Sequence, residues 1–229
     1  MNKGIVFYTD NLLDHNIADR VQKQLLFIKN KLNIPIISVS LKPMRFGDKN
    51  ITLALERGYL TMFKQMLCGL ENSDADVIFF CEHDVLYHLS HFDFIPQQNN
   101  IYYYNLNVWK LDIKTGKTVR VDDCKQISGL CANRDLLLAH YKERVKRVET
   151  GGFSREMGFE PGTHGRKEKI DDYKAEGWSS EFPNIDIRHK GNLTHTRWNP
   201  EQFKNKRFTK GWIETNGKYI PGWEGLNLI

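Results

Sequence analysis

Short apolar runs alternate with amphipathic stretches along the first hundred residues of the chain. Three of the runs have the length of a β-strand and end at polar or turn residues, at positions 3–9, 36–40 and 77–81. Between them, apolar residues recur at three- and four-residue steps over residues 17–31 and 53–70, which predicts two helices. The order of strand, helix and strand implies a crossover between parallel strands. The pattern therefore predicts an α/β fold, with a mostly parallel sheet flanked by helices.

The pattern becomes less regular in the second half of the chain. Residues 101–121 are rich in Tyr, Asn and Trp, and residues 115–117 predict a hairpin turn. A third helix is predicted over residues 134–146, and residues 185–188 give the one clear strand signal after Thr150. Because no internal repeat or low-complexity tract divides the chain, we expect a single domain with an irregular carboxyl-terminal part.

Composition excludes several classes of protein. Of the 229 residues, 40% are apolar and 27% are charged, which is ordinary globular usage and excludes wholesale disorder. No apolar run approaches the roughly 18 residues of a membrane span, and the amino-terminal run is too short for a signal peptide. The four cysteines lack zinc-module spacing, so we expect reduced thiols in a cytoplasmic protein. A zinc site of His83, His88 and His91 is disfavoured, because helical zinc motifs use i, i+4 spacing.

The net charge of +5 is concentrated towards the carboxyl terminus. Residues 138–229 hold 17 Lys and Arg against 13 Asp and Glu, interleaved with aromatic residues. Such a charge fits an anionic partner such as DNA, but many soluble enzymes carry as much without binding nucleic acid. Two basic clusters are either phosphate contacts or solvated faces: Lys142, Arg144, Lys146 and Arg147, and Lys204, Lys206, Arg207 and Lys210.

Candidate chemistry lies at the ends of the predicted strands, because ligands of open α/β sheets bind beyond the carboxyl ends of the strands. Glu82-His83-Asp84 directly follows the most apolar of them. A carboxylate so close to a buried strand is costly to leave unpaired, and a hard divalent cation would remove that cost. The alternative is a pair of acidic turn residues at an exposed strand end. The spacing by itself does not choose between the two.

The segment 76–85, DVIFFCEHDV, resembles the D-x-D segment of GT-A glycosyltransferases. Residues 57–60 and 128–130 also occupy the places that this fold expects, so the resemblance covers residues 3–195. It implies a Rossmann-like GT-A fold and a nucleotide-sugar donor such as a UDP-sugar. It also implies a manganese or magnesium ion, Mn²⁺ or Mg²⁺, that bridges the two donor phosphates.

The same resemblance implies a set of metal ligands. Glu replaces the first Asp of the motif, so Asp84 is the expected ligand, while Glu82 contacts ribose or a water beside the ligands. A His after a late strand completes the set, with His189 preferred and His195 in reserve. Imidazole together with carboxylate is a sound donor set for a divalent ion. The alternative is that each His lies on the surface of a basic loop.

Donor-binding residues are expected at the end of the first strand and on the second helix. Tyr8, Thr9 and Asp10 would contact the base and ribose. The alternative places Tyr8 in the core and makes Asp10 the cap of the next helix. Arg57 and Lys64 lie seven apart on one face of the second predicted helix, so they either reach the phosphates or are solvated.

The acceptor side is expected to use the second half of the chain. Residues 1–100 would bind donor and metal, and residues 101–229 would bind the acceptor. An inverting transfer needs a carboxylate base near the acceptor hydroxyl, and Glu156 and Glu160 are the candidates. A retaining transfer needs no such base, and the sequence leaves the stereochemistry open.

The sequence therefore predicts a metal-dependent hexosyl- or pentosyltransferase that moves a sugar onto a hydroxyl group. The acceptor is either a glycan or a hydroxymethylated base in DNA, which would have to leave the double helix to react. One alternative is a nucleotidyltransferase with the same carboxylate–metal site, which would release pyrophosphate. The other is a non-catalytic nucleic-acid-binding protein, whose binding would depend steeply on salt.

Overall fold

Two β-sheets and three long helices make up the computed structural model, which describes residues 1–163, 168–192, 194–205 and 209–224. The helices are α1 His15–Leu32, α2 Tyr59–Glu71 and α3 Arg134–Gly151. The strands are β1 Lys3–Thr9, β2 Ile36–Ser40, β3 Lys49–Thr52, β4 Val77–Glu82, β5 Val85–Leu86, β6 Ile101–Asn105, β7 Val108–Asp112, β8 Lys117–Arg120, β9 Leu130–Asn133, β10 Lys174–Trp178, β11 Asn184–Arg188 and β12 Ile213–Asn216.

The larger sheet contains the parallel strands that the sequence predicts. Its order is β10-β6-β9-β4-β1-β2-β3, in which β4, β1, β2 and β3 run parallel. Strand β9 lies between β4 and β6 and is antiparallel to both. Both faces of β1 and β4 are buried, as expected of central strands that helices cover on either side. The prediction of an α/β fold with a mostly parallel sheet flanked by helices is confirmed.

The smaller sheet brings the end of β11 next to the end of β4. Its order is β12-β8-β7-β11-β5, and β5 begins just after β4 ends. Strand β11 pairs with β7 in parallel and with β5 in antiparallel orientation, and the Ile187 amide donates to the Asp84 carbonyl at 2.9 Å. The predicted hairpin joins β7 to β8, with Gly116 at a φ of 72°.

The helices cover both faces of the larger sheet. Val21, Leu25 and Ile28 of α1 are fully buried and belong to a core cluster that includes Ile5 and Phe7 of β1. Burying each such side chain stabilises the fold by about 2 kcal/mol. Helices α2 and α3 pack in the cluster on the opposite face. Within the described ranges, none of the helices combines the length and the hydropathy of a membrane span.

Helix α2 lies directly against the central strand because it carries a glycine at the contact. A Cβ atom added at Gly69 would lie 2.3 Å from Cγ1 of Val6, well inside van der Waals contact. Only a residue without a side chain therefore permits this approach. The close packing fixes the amino-terminal end of α2 beside the carboxyl ends of β1 and β2.

The start of α2 differs from the prediction. The helix begins at Tyr59 rather than at residue 53, and residues 53–58 are not helical. At the two ends of this segment the Leu53 amide donates to the Ser40 carbonyl of β2 at 2.8 Å and Arg57 pairs with Asp10 at 2.7 Å, so tertiary contacts hold it against the local helical pattern. Strand β3, Lys49–Thr52, precedes the segment and was not predicted. Arg57 therefore precedes the helix, and its expected alignment with Lys64 on one helical face is wrong.

Buried neutral histidines make the fold sensitive to acid. Burial lowers the pKa of His91 to about 3 and, with smaller effects from its neighbours, that of His140 to about 4. The unfolded chain takes up these protons below about pH 6.5, whereas the folded chain does not until the pH is much lower. The two histidines should therefore lower the free energy of unfolding as the pH falls below about 6.5, by up to about 1.4 kcal/mol per pH unit each. Buried carboxyl groups with a raised pKa, Glu82 at about 8 among them, act in the opposite direction over this range, because the folded chain already holds their protons.

Urea unfolding between about pH 7 and pH 5 measures this slope, in a range where most unperturbed carboxylates stay ionised. The same pH dependence in His140→Gln, which removes one of the two histidines and leaves Glu82 in place, would contradict the prediction.

Candidate functional site

Several strands of the two sheets end around one cleft. The described residues that line it include the ends of β1, β4 and β11 and the start of α2, and the cleft encloses about 1020 Å³ of non-protein space, its open mouth included. Its polar lining includes Thr9, Asp10, Arg57, Glu82, His83, Asp84, Glu160, Asp186, Arg188 and Asn192. The cleft therefore lies at the carboxyl edge of the sheet, where ligands of α/β folds bind.

Two imidazoles and one carboxylate meet at this edge. Ligand atoms of His83, Asp84 and His189 all lie within 4.8 Å of one another. His83 and Asp84 lie between β4 and β5, and His189 follows β11. The antiparallel pairing of β11 with β5 and the bond from the Ile187 amide to the Asp84 carbonyl bring them together. The His189 Nε2 atom is 3.3 Å from Asp84 Oδ2. Among the described residues, this is the one group of three or more such side chains with the spacing of a metal site.

Asp84 is held as an anion in a buried position. Burial alone would raise its pKa, but the hydrogen bond to His189 and the nearby charges of His83 and Arg188 outweigh burial and lower it. The side chain is only 12% exposed. A buried carboxylate that remains ionised beside two imidazoles is an appropriate ligand for a divalent cation.

The loop after β11 supplies a second partner for Asp84. The Asn192 side-chain amide donates to Asp84 Oδ2 at 2.7 Å, while its carbonyl accepts from the His189 amide at 2.6 Å. Asn192 therefore fixes both the carboxylate and the loop that carries His189. Sequence reasoning did not single out Asn192, although its position three residues after His189 marks a turn.

The end of β1 contacts His83. Thr9 Oγ1 lies 2.7 Å from His83 Nδ1, and Asp10 Oδ1 lies 3.6 Å from the same nitrogen. Asp10 also pairs with Arg57, whose Nε is 2.7 Å from Asp10 Oδ2. The other end of Arg57 donates to the Gly191 carbonyl at 2.7 Å. Sequence reasoning placed Thr9 and Asp10 near the donor, and it did not connect them with His83.

Glu82 faces the cleft but is bound to the strand beside it. Tyr8 donates its hydroxyl to Glu82 Oε1 at 2.7 Å. Burial and the neighbouring Asp84 carboxylate raise the pKa of Glu82 to about 8, so that it is largely protonated at neutral pH. Tyr8 is 6% exposed, and burial raises its pKa as well. A protonated Glu82 is a poor ligand, which leaves the charge of the E-H-D segment on Asp84.

A third buried carboxylate on the cleft is neutralised by an arginine. Asp186 accepts from Arg188 Nη1 at 3.1 and 3.3 Å on its two oxygens. Burial raises the pKa of Asp186, and Arg188 acts in the opposite direction. The remaining guanidinium nitrogens of Arg188 bind Thr196 and Thr194, so this residue fixes the segment that follows the loop. Neither Asp186 nor Arg188 was expected from the sequence, since both lie within a predicted strand.

Three residues predicted for the site lie away from the cluster. Lys64 pairs with Glu149 of α3 at 2.7 Å, and the described lining of the cleft does not include it. His195 is exposed and does not belong to the metal-type cluster found among the described residues. Glu156 is also exposed and is absent from the described lining. Of the two predicted bases, only Glu160 reaches the cleft.

Glu160 also lines the cleft, in the segment that follows α3. Burial is the largest influence on its pKa and raises it, against the opposing effects of backbone hydrogen bonds and Arg144. The underlying Arg144 is 1% exposed and donates to the Gly158 carbonyl at 2.6 Å. Arg144 therefore supports the segment that carries Glu160.

The first basic cluster does not form a surface for DNA as a unit. Arg144 is buried, so it has no access to a phosphate, and Arg147 pairs with Glu143 on its own helix. The helical spacing already places Lys142 and Lys146 on one face and Arg144 on another, and the burial of Arg144 agrees with that division. In the second cluster, Lys206 and Arg207 lie outside the described residues.

Three solved glycosyltransferase structures resemble the fold. A variant of Drosophila β1,4-galactosyltransferase 7, in complex with manganese, UDP-Gal and xylobiose, matches 67% of this chain and 63% of its own, at 12% identity and a TM-score of 0.39. The galactosyltransferase LgtC, in complex with donor and acceptor sugar analogues, matches 64% of each chain, at 14% identity and a TM-score of 0.39. A glycosyltransferase involved in glycosylation of the major capsid of PBCV-1 matches 84% of this chain and 94% of its own, at 9% identity and a TM-score of 0.44.

No protein-family model matches the chain, and no curated protein matches it. The chain spans less than two thirds of the length of the first two enzymes. Because the identities are 9 to 14% and the TM-scores lie below 0.5, what these enzymes bind is not transferred to this chain.

Proposed function

We propose that the protein is a metal-dependent glycosyltransferase that moves a sugar from a nucleotide-sugar donor to a hydroxyl acceptor. The observation that carries this proposal is the cluster of His83, Asp84 and His189, whose ligand atoms lie within 4.8 Å of one another in the cleft. The cluster stands at the carboxyl edge of a parallel sheet, the position in which α/β folds bind nucleotides. The E-H-D segment that supplies two of the ligands is also the part of the sequence that resembles the D-x-D motif.

The three side chains fit a divalent ion. Two imidazole nitrogens and one anionic oxygen form a mixed donor set, in which the imidazoles favour transition metals such as Zn²⁺ or Mn²⁺ over Mg²⁺ and the carboxylate suits Mn²⁺. Asp84 is ionised at neutral pH because its pKa is lowered, despite burial, by the hydrogen bond to His189 and by nearby charges. A divalent ion held there supplies positive charge beside the diphosphate of the donor as it leaves.

The residues of the chain then have separate tasks. Asp84, His83 and His189 hold the ion, and Asn192 holds Asp84 through its 2.7 Å hydrogen bond. Glu160 is the base that takes the proton of the acceptor hydroxyl, because it lines the cleft whereas Glu156 is exposed. The sugar carbon loses its bond to the diphosphate and gains a bond to the acceptor oxygen. A base in this role corresponds to inversion at that carbon.

The donor is proposed to be a UDP-sugar and the acceptor a glycan. Five carboxyl side chains line the described part of the cleft, among them Glu82, Asp186 and Glu160. The carboxylates suit the hydroxyl groups of a sugar, to which they offer hydrogen-bond acceptors.

A panel of nucleotide-sugars with Mn²⁺, Mg²⁺ or Zn²⁺ tests the function. One donor with Mn²⁺ should raise the melting temperature and release a free nucleoside diphosphate, and EDTA should abolish both effects. His189→Ala should weaken metal-dependent donor binding at least tenfold. Removing even a side chain that only supports a metal ligand usually lowers metal affinity by about that factor. His195→Ala is the matched control and should change it little, since His195 is exposed.

Three outcomes would contradict the proposal. Turnover in saturating EDTA would exclude the metal, and equal effects of the two His variants would exclude His189 as a ligand. Release of pyrophosphate from a nucleoside triphosphate would instead indicate a nucleotidyltransferase.

A further inference from the structure

The two imidazoles of the cluster have different partners at their second nitrogen. A neutral imidazole carries its proton on one nitrogen and a lone pair on the other, and only the lone pair binds a metal. The partner of the remaining nitrogen therefore decides which atom is free to bind. A metal-binding histidine normally donates its other N–H to a carboxylate or a carbonyl.

His83 has partners that favour the metal-binding form. Its Nδ1 lies 2.7 Å from Thr9 Oγ1 and 3.6 Å from Asp10 Oδ1. The Thr9 hydroxyl is able to donate or accept, but the Asp10 carboxylate only accepts. Asp10 is itself fixed by the 2.7 Å pair with Arg57. The Thr9 oxygen also accepts from the Asn11 amide at 3.0 Å and has a lone pair left for a second donor. A proton on His83 Nδ1 donates to Thr9 Oγ1 and is attracted by the Asp10 carboxylate, and this leaves the lone pair on Nε2.

His189 has a partner of the opposite kind. The Gly191 amide donates to His189 Nδ1 at 3.1 Å, so Nδ1 carries the lone pair. The proton is then on Nε2, which faces Asp84 Oδ2 at 3.3 Å and donates to it. In this form the nitrogen nearest the carboxylate has no lone pair for a metal. His189 binds through Nε2 only after its proton moves to Nδ1 and the Gly191 amide turns away.

We propose that His83 and Asp84 form the preformed half of the metal site, with Asp10 as the residue that positions His83, and that His189 joins only when the loop at Gly191 rearranges. This inference rests on the metal site of the proposed function and adds an order to its assembly. Arg57 links the two halves, because it binds Asp10 at one end and the Gly191 carbonyl at the other. Thr9 and Asp10 are thereby assigned to the metal site rather than to the base of the donor.

The tautomers are measured directly in the metal-free chain. Long-range proton–nitrogen correlation spectra of the ¹⁵N-labelled full chain, recorded at about pH 8 where a free imidazole is neutral, report which ring nitrogen carries the proton. His83→Ala and His189→Ala identify the two sets of signals. We expect the proton on Nδ1 of His83 and on Nε2 of His189. The same tautomer in both rings, or the reverse assignment, would overturn the inference.

Binding of Mn²⁺ alone, measured by electron paramagnetic resonance, tests the order of assembly. His83→Ala should weaken binding more than His189→Ala, and Asp10→Asn should weaken it at least tenfold. Asp10→Asn should also remove the Nδ1 proton preference of His83 in the NMR spectrum, which a merely structural effect would not do. Asp48→Asn is the control. It removes a comparable ion pair, the 3.0 Å contact between Asp48 and Lys29, and neither residue belongs to the described lining of the cleft.

The outcomes separate this inference from the proposed function. If Mn²⁺ binding and sugar transfer depend equally on His83 and His189, the inference is wrong. It is also wrong if both survive Asp10→Asn unchanged. In either case the proposed glycosyltransferase function still stands. Asymmetric tautomers and ordered Mn²⁺ binding without turnover of any nucleotide-sugar would support the inference and contradict the function.

Discussion

Asp84→Asn is expected to abolish Mn²⁺-dependent donor binding and to reduce transfer by at least a thousandfold, because it removes the anionic ligand and the charge that a divalent ion needs. The amide has the same size as the carboxylate, and the side chain lies at a strand end outside the core clusters. The fold should therefore be retained. Calorimetric titration of Mn²⁺ and a nucleoside diphosphate release assay measure the two losses.

The matched control for this variant is Asp19→Asn on the exposed face of α1. It changes the net charge of the chain by the same amount without touching the cleft, so it should leave both readouts unchanged. Full activity of Asp84→Asn with Mn²⁺ would remove Asp84 from the site and with it the proposed mechanism.

Arg144→Met is expected to lower the free energy of unfolding by about 3 kcal/mol, the scale for breaking a buried charged network. Arg144 donates to the Gly158 carbonyl at 2.6 Å and to His140 Nε2 at 3.1 Å, and its guanidinium lies 4.9 Å from the Phe63 ring. Methionine preserves part of the apolar contact but leaves both acceptors unpaired. Urea unfolding followed by circular dichroism measures the change.

Arg147→Met, three residues further along the same helix, is the control. Arg147 forms a half-exposed pair with Glu143 at i, i+4, so its loss should cost about 0.5 kcal/mol. If the two variants are equally stable, the buried network does not support the segment before Glu160. Because that segment carries the proposed base, Arg144→Met should also reduce turnover more than it reduces donor binding.

The local pattern of apolar residues determined most of the secondary structure. Strands β1 and β2 have the predicted bounds, and helices α1 and α3 lie where the three- and four-residue periodicity places them. The pattern did not predict strands β3, β5, β9, β10 and β12, and it began α2 six residues too early. Strand β3 is an example, since it pairs with β2 and Asn50 bonds Ser38 across that pair. Local periodicity predicts elements whose partners are generic apolar surfaces, and it does not detect an element defined by one pair of polar side chains.

The residues of the site also fall into those that the sequence predicted and those that it did not. The sequence singled out Asp84 and, after the late strand, His189, and the structure places their side chains 3.3 Å apart. It did not connect His83 with Thr9 and Asp10, which are more than seventy positions away along the chain. Nor did it single out Asn192, whose contact with Asp84 spans 108 positions.

The sequence by itself determined the strands and helices of the first βαβαβ part and helix α3, the apolar faces of those elements, and the strand ends at which polar groups gather. Only the tertiary structure decided which of those groups meet, because that depends on the β4–β1 and β11–β5 pairings and on the path of the loop after β11. It also decided the chemical state of each group. The pKa of Glu82 is raised by burial and that of Asp84 is lowered against burial, two positions apart in one segment, since their three-dimensional neighbours differ.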